Sequence, residues 1–211
     1  MDIREEIIYL GKKMVKEVLV ASTWGNISGR VGPNQIYITP SGMEYESLEV
    51  EDITLIDLNG NVLEGKRKRS SEFQLHCEIY KAREDVQGIV HTHSKCASAF
   101  AVVQKPIPPL IEDMVQVVGG EVSVAQYALP GTKELATNAV WALGSKGAVL
   151  LANHGVVGVG YNLQEAYKAC LLVEKTAHIY VAASCLGKPC SLSTKDVQWM
   201  RQAYLTTYGQ K

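Results

Sequence analysis

The segment Gly88-Ile89-Val90-His91-Thr92-His93 restricts the possible folds more than any other stretch of the chain. Its apolar start reads as a strand entering a core, and in a strand residues two apart share a face. His91 and His93 therefore project together while Thr92 points away. Two imidazoles side by side on a core strand are awkward unpaired and useful with a metal between them. The pair needs a third ligand and usually a fourth, so the fold has to bring others to the end of this strand.

The surrounding pattern mixes helical and strand periods irregularly. Ile3, Ile7, Leu10, Met14, Val15 and Val18 recur at three- and four-residue steps, so residues 2–20 are expected to form an amphipathic helix with Asp2 as N-cap. Residues 22–31 lead through Gly and Asn into residues 35–43, which read as a strand ending in a Pro-Ser-Gly turn. Asn59-Gly60, between the alternating Thr54–Leu58 and Val62-Leu63, marks a β-hairpin. A helix follows from Ser71, where Ser71 and Gln74 have capping-box spacing. Beyond the histidine strand come a short helix over Ser94–Gln104, a strand at Val122–Ala125 and a helix over Thr132–Leu143. Two short strands then flank Asn153-His154-Gly155, before a long helix over residues 163–186. Hairpins among mixed elements imply one α/β domain over residues 1–211, with a mixed or largely antiparallel sheet.

Composition excludes several classes. A formal net charge of -1 over 211 residues gives no electrostatic case for nucleic acid or an anionic membrane. The amphipathic N-terminus resembles no targeting peptide, and no stretch reaches the roughly 18 apolar residues of a bilayer span. Cys77, Cys96, Cys170, Cys185 and Cys190 form an odd set without a C-x-x-C pair, which fits a reducing cytoplasm.

Five histidines occur, at 76, 91, 93, 154 and 178. His154, in a Gly-flanked turn between two apolar runs, is the best third partner for the pair. Glu72 either complements a helix dipole or supplies an oxygen ligand or base. His76, four residues on, makes a Glu-x-x-x-His pair with it another possible ligand set. His178, inside the long helix, reads as a packing residue. Gly25-Asn26, Ser41-Gly42 and Ser70-Ser71 are turns whose backbone N–H groups and hydroxyls suit a phosphate, although the sequence holds no P-loop. The run Lys66-Arg67-Lys68-Arg69 reads as a solvated loop. A metal beside a phosphate pocket, with a carboxylate between them, suits carbanion chemistry: the ion acts as a Lewis acid and the carboxylate moves the C–H proton.

The segments WGNIS, ITPSGM, EGKRKRSSE, GIVHTHS, LANHG and the terminal TYG, in this order, make the chain resemble the class II aldolase/adducin family, with its fuculose-1-phosphate aldolase branch nearest. The resemblance spans nearly the whole chain. It implies an α/β/α sandwich around a mainly antiparallel sheet, and a homotetramer with sites near subunit interfaces. It makes Glu72, His91, His93 and His154 zinc ligands (manganese or iron being other possible ions), with Glu72 also the base, and His76 a non-ligand. Gly25, Asn26, Ser41, Gly42, Ser70 and Ser71 would bind the phosphate of a sugar phosphate. The implied reaction is cleavage of a ketose 1-phosphate to dihydroxyacetone phosphate and an aldehyde. Two departures bear on the aldehyde. Asp113 stands where the fuculose enzymes carry a tyrosine acid, and Pro130 stands where they carry an aromatic residue; Tyr208 matches their C-terminal tyrosine. Alternatives on the same fold are a methylthioribulose-1-phosphate dehydratase, a sugar-acid phosphate decarboxylase and a pentulose-phosphate 4-epimerase.

Overall fold

The computed structural model describes residues 2–209. Met1, Gln210 and Lys211 lie outside that range, so the expected domain of residues 1–211 is described over 2–209 only.

Among the described residues, eight strands form one sheet. In chain order they are β1 (Asn26–Gly32), β2 (Gln35–Ile38), β3 (Thr54–Asp57), β4 (Val62–Glu64), β5 (Gly88–Thr92), β6 (Val124–Ala125), β7 (Ala148–Leu151) and β8 (Gly155–Gly160). Their spatial order is β4-β3-β2-β1-β5-β8-β7-β6. Every pairing is antiparallel except that of β6 with β7. The histidine strand β5 thus lies inside the sheet, between β1 and β8, and its burial is complete from Gly88 to Thr92.

Seven α-helices among the described residues cover the two faces: α1 (Ile3–Lys16), α2 (Phe73–Ala82), α3 (Lys95–Val102), α4 (Glu112–Val118), α5 (Lys133–Leu143), α6 (Leu163–Leu186) and α7 (Thr194–Thr206). Side-chain alternation along the strands makes two cores. Ile27, Val90, Leu150 and Val156 face α1, α3, α4, α6 and α7. Ile36, Ile89, Val149 and Val157 face α2 and α5. The result is the α/β/α sandwich expected from the resemblance.

This parity decides where the chemistry sits. Directly opposed residues of an antiparallel pair share a face, and β1 pairs with β5 as Asn26↔His91 and Ser28↔Ile89. Ile89 belongs to the α2 side. Asn26, Ser28 and His91 therefore point toward α2, which carries His76 and Tyr80 on its buried face.

Several boundaries differ from the periodicity reading. α1 has the expected Asp2 cap, reinforced by Glu5, but stops at Lys16, with Val18 in the left-handed region at φ 56°. α2 begins at Phe73, and Glu72 occupies the N-cap position without a side-chain capping bond. The Ser71 capping box does not form; Ser70 Oγ instead accepts the Glu72 N–H at 3.2 Å. β1, α4 and α7 are additional elements. By length and composition α6 is long and apolar enough to cross a bilayer, although Glu174 and Lys175 interrupt its apolar run. It lies along the sheet with Ala166, Ala169, Cys170, Val173 and Ala177 buried, and Cys170 Sγ sits 3.3 Å from the Val90 carbonyl. His178 on the same helix is exposed, so it is not a packing residue. Glu174 of α6 accepts the N–H groups of Cys96 and Ala97 at 2.9 and 2.8 Å, capping α3 just past His93.

Candidate metal centre and adjoining cavity

His91, next to last in β5, is fully buried, and His93 follows the strand with its backbone N–H donated to the Leu19 carbonyl at 3.0 Å. His154 sits on the β7–β8 turn, where Asn153 takes up φ 57° and Gly155 allows close approach. A Cβ at Gly155 would lie 2.3 Å from the Thr92 carbonyl oxygen and 3.1 Å from the His93 ring. Any larger residue there would push His154 away from its partners. Glu72 enters from the start of α2, opposite the histidines.

One ligand atom from each of Glu72, His91, His93 and His154 converges within 4.8 Å. His91 Nε2 lies 2.9 Å from His93 Nε2, 3.3 Å from His154 Nε2 and 3.3 Å from Glu72 Oε2, and His154 Nε2 lies 3.5 Å from Glu72 Oε1. A tetrahedral ion bonded at about 2.0–2.1 Å would space its donors about 3.3–3.4 Å apart. His91 Nδ1 donates to the Val156 carbonyl at 2.9 Å. That bond places the ring proton on Nδ1 and leaves the Nε2 lone pair facing the other donors. Glu72 Oε1 is buried and has no hydrogen-bond donor. Imidazole nitrogens and carboxylate oxygens packed 2.9–3.5 Å apart, with one buried carboxylate oxygen lacking a donor, fit a cation. His76 is not part of this set, so the Glu-x-x-x-His alternative is not built.

Burial holds these imidazoles neutral. It lowers His91 well below the usual imidazole range, with the neighbouring His154 adding to the effect. His93 is lowered to about 3 by burial and then by His91 and His154. His154 is lowered by burial, against an opposing pull from Glu72, and His76 falls to about 4 through burial. The unfolded chain protonates its histidines near the usual value of about 6.5. Below that pH the unfolded state therefore binds more protons than the folded one, so stability rises with pH in this window and is lost on acidification. Each histidine contributes a slope of up to about 1.4 kcal/mol per pH unit. We expect the urea midpoint of chelator-treated protein to fall between pH 7 and pH 5, and to fall less steeply in His76→Gln. A flat profile over that range would contradict this account.

Beside the cluster opens a cavity of about 390 Å³. Gly25, Asn26, Ser41, Gly42, Ser70 and Ser71 all line it, together with Glu72, His93 and His154. Gly25 at φ 81° and Gly42 at φ 71° occupy the left-handed region, and a Cβ at Gly42 would meet nothing within 4 Å. No Lys or Arg is among the described residues that line the cavity, so its polar character comes from hydroxyls, an amide and backbone groups. Trp24 and Pro130 give it an apolar rim, and the Trp24 ring tilts over His93 with centroids 5.8 Å apart. Trp24 has no separate motif; its signal in the sequence is its place at the head of WGNIS, directly before the Gly25-Asn26 turn.

Asp113 and Tyr208 do not join this site within the chain. Asp113 on α4 pairs with Lys175 of α6, and Tyr208 is exposed with its ring against Tyr204 at 5.2 Å. A larger cavity of about 570 Å³ opens at the opposite end of β7 and β8. Its two arginines serve the fold: Arg83 pairs with Asp85 and bonds the Gly144 carbonyl, and Arg201 bonds the carbonyls of Gln116 and Val117.

Residues 5–181 match the family described as Class II Aldolase and Adducin N-terminal domain. The chain is 36% identical over 209 residues to a 5-deoxy-D-ribulose 1-phosphate aldolase of Bacillus thuringiensis serovar kurstaki, covering 99% of this chain and 97% of the relative. It is 32% identical over 207 residues to a 5-methylthioribulose-1-phosphate/5-deoxyribulose-1-phosphate aldolase of Rhodospirillum rubrum, covering 98% and 92%. Among solved structures, an L-fuculose 1-phosphate aldolase superposes with a TM-score of 0.93 at 38% identity, covering 97% of this chain and 96% of that one.

Proposed function

The chain belongs to the class II aldolase and adducin family, whose aldolases are metal-dependent lyases, and from that premise we propose that it cleaves a ketose 1-phosphate to dihydroxyacetone phosphate and an aldehyde. The observation that carries this reading is the four-donor cluster opening directly into a cavity lined by hydroxyls and glycine turns. Glu72, His91, His93 and His154 would hold the ion. Three imidazole nitrogens and a carboxylate suit zinc, with manganese or iron as other ions for such a site. When bound, a divalent ion supplies Lewis-acid polarisation of the ketone next to the breaking bond.

The rest is the work of the chain's own groups. Ser41, Gly42, Ser70, Ser71 and Gly25 receive the phosphate through hydroxyl and backbone N–H donors. Glu72, at the junction of cluster and cavity, returns a proton to C3 after the C3–C4 bond breaks, and removes it in the condensation direction. Trp24 and Pro130 face the aldehyde half. Their apolar surfaces favour an aldehyde with an apolar tip over a polyhydroxylated one. Asp113 or Tyr208 would supply the acid for the aldehyde oxygen from a neighbouring copy in a homotetramer. Exposed Trp141, Trp199 and Leu186 support such association, and light scattering tests it. Five free cysteines support a reducing, cytoplasmic setting for this one-domain enzyme.

The test offers zinc-loaded protein a panel of ketose 1-phosphates (fuculose, rhamnulose, ribulose, 5-deoxyribulose and methylthioribulose) and follows dihydroxyacetone phosphate release. A chelator-sensitive signal is expected, with the 5-deoxy and methylthio substrates above fuculose. Loss of water from the substrate without dihydroxyacetone phosphate would point to the dehydratase. Carbon dioxide from a sugar-acid phosphate would point to the decarboxylase, and interconversion of pentulose phosphates to the epimerase.

A further inference from the structure

Behind Glu72 a line of polar side chains runs into the core, and the reaction just proposed leaves it without a task. Asn26 Nδ2 donates to Glu72 Oε2 at 2.8 Å. Asn26 Oδ1 lies 2.5 Å from His76 Nε2. His76 Nδ1 lies 2.6 Å from Ser28 Oγ. Tyr80 Oη donates to the Ser28 carbonyl at 2.9 Å and also lies 3.1 Å from Ser28 Oγ. Exposure falls along the line from 7% at Glu72 and 4% at Asn26 to 0% at His76 and Ser28.

The direction of every bond follows from one end. A carboxylate only accepts, so Asn26 must present its NH₂ to Glu72 and its carbonyl oxygen to His76. His76 must then carry its proton on Nε2. Its Nδ1 therefore accepts, and Ser28 Oγ–H is the donor. No member can be turned over without setting two acceptors or two donors against each other. In a buried site each such mismatch costs the desolvation of an unmet polar group.

We infer that His76 is a positioning residue: backed by Ser28 and Tyr80, it locks the Asn26 amide so that Asn26 holds the Glu72 carboxylate between the histidine cluster and the cavity. The inference rests on reading Glu72 as the group that moves the substrate proton. It gives the Asn26 side chain its duty, because both ends of the amide are committed, the NH₂ to Glu72 and the carbonyl oxygen to His76. Without the Nε2–H of His76 the amide is free to rotate and aim its carbonyl oxygen at Glu72.

Two variants separate positioning from plain packing. His76→Gln keeps an N–H near the place of the imidazole Nε2, whereas His76→Leu keeps only bulk. In His76→Leu we expect kcat to fall about 10–100-fold, the range for partners that orient a ligand from behind. KM should stay within about threefold and metal content should be unchanged. His76→Gln should recover most of kcat although both variants lose thermal stability. Rates that track the thermal midpoint in both variants, or a raised KM with unchanged kcat, would overturn the inference. If His76→Leu does not fold, Ser28→Ala, which frees the His76 ring to turn, takes its place with the same two readouts. Should the wild-type protein cleave no ketose 1-phosphate, the proposed reaction fails, and crystal structures of the variants still decide the positioning. Glu72 unmoved in His76→Leu would refute it; Glu72 displaced there and in place in His76→Gln would uphold it.

Discussion

Replacing Glu72 by Gln is expected to lower the rate of cleavage by more than about 100-fold, the lower end of what a positioned acid or base contributes, while leaving the fold intact. The substitution is nearly isosteric, and the new amide oxygen can still accept from Asn26 Nδ2, now 2.8 Å from Glu72 Oε2. What it removes is specific. An amide cannot take a proton from C3 or return one. It also withdraws a negative charge from beside His91 and His154, whose Nε2 atoms stand 3.3 and 3.5 Å from the carboxylate oxygens. Loss of the base and loss of a ligand are separated by two measurements. Metal content reports the ligand role, and exchange of solvent deuterium into dihydroxyacetone phosphate reports the proton step without any aldehyde. Full metal with abolished exchange assigns Glu72 to proton transfer. Turnover close to that of the unaltered protein would remove Glu72 from the chemistry altogether.

Much of this site was legible because its parts are local. An H-x-H at a strand end, a His in a Gly-flanked turn, and an acid at a helix start after Ser-Ser are each short patterns, and residue type and spacing expose them. The elements that escaped did so for physical reasons. β1 contains Gly29, Gly32 and Ser28, small residues that carry no strand signal; they suit a strand crowded by its neighbours, as a Cβ at Gly29 would lie 2.5 Å from the Ile3 side chain. Glu72 sits at the N-cap position yet makes no capping bond, because its side chain is directed into the site; a rule that assumes local satisfaction therefore starts the helix too early. His76 was read through its four-residue spacing from Glu72. Its actual partner is Asn26, fifty residues away in sequence, and that contact depends on β1 pairing with β5 in one register. Strand register is a long-range property, and only the folded sheet displays it.

Replacing His154 by Ala is expected to abolish tight binding of a divalent ion, and with it chelator-sensitive activity, at little cost in stability. The asymmetry among the three histidines drives this expectation. His91 is fully buried, and its Nδ1 satisfies the Val156 carbonyl, so its removal would leave an unmet acceptor and a void in the middle of the sheet. His154 is on a turn with 11% of its side chain exposed, against 0% for His91, and its Nδ1 has no partner. Truncating it leaves no backbone carbonyl unmet and relieves the cluster of one imidazole held neutral by burial. The remaining Glu72, His91 and His93 offer three donors, fewer than the four that a closed tetrahedral set provides. Metal analysis after gel filtration should show loss of the bound ion, while the urea midpoint of the chelator-treated variant at pH 7 should match that of chelator-treated wild-type protein within about 1 kcal/mol, the ordinary range for a substitution that opens no core. The same variant measured below pH 6.5 should be the more acid-resistant of the two, because one depressed histidine no longer takes up a proton on unfolding. Full retention of the ion by His154→Ala would place the metal elsewhere and leave His91 and His93 as a buried pair without the partner the turn supplies.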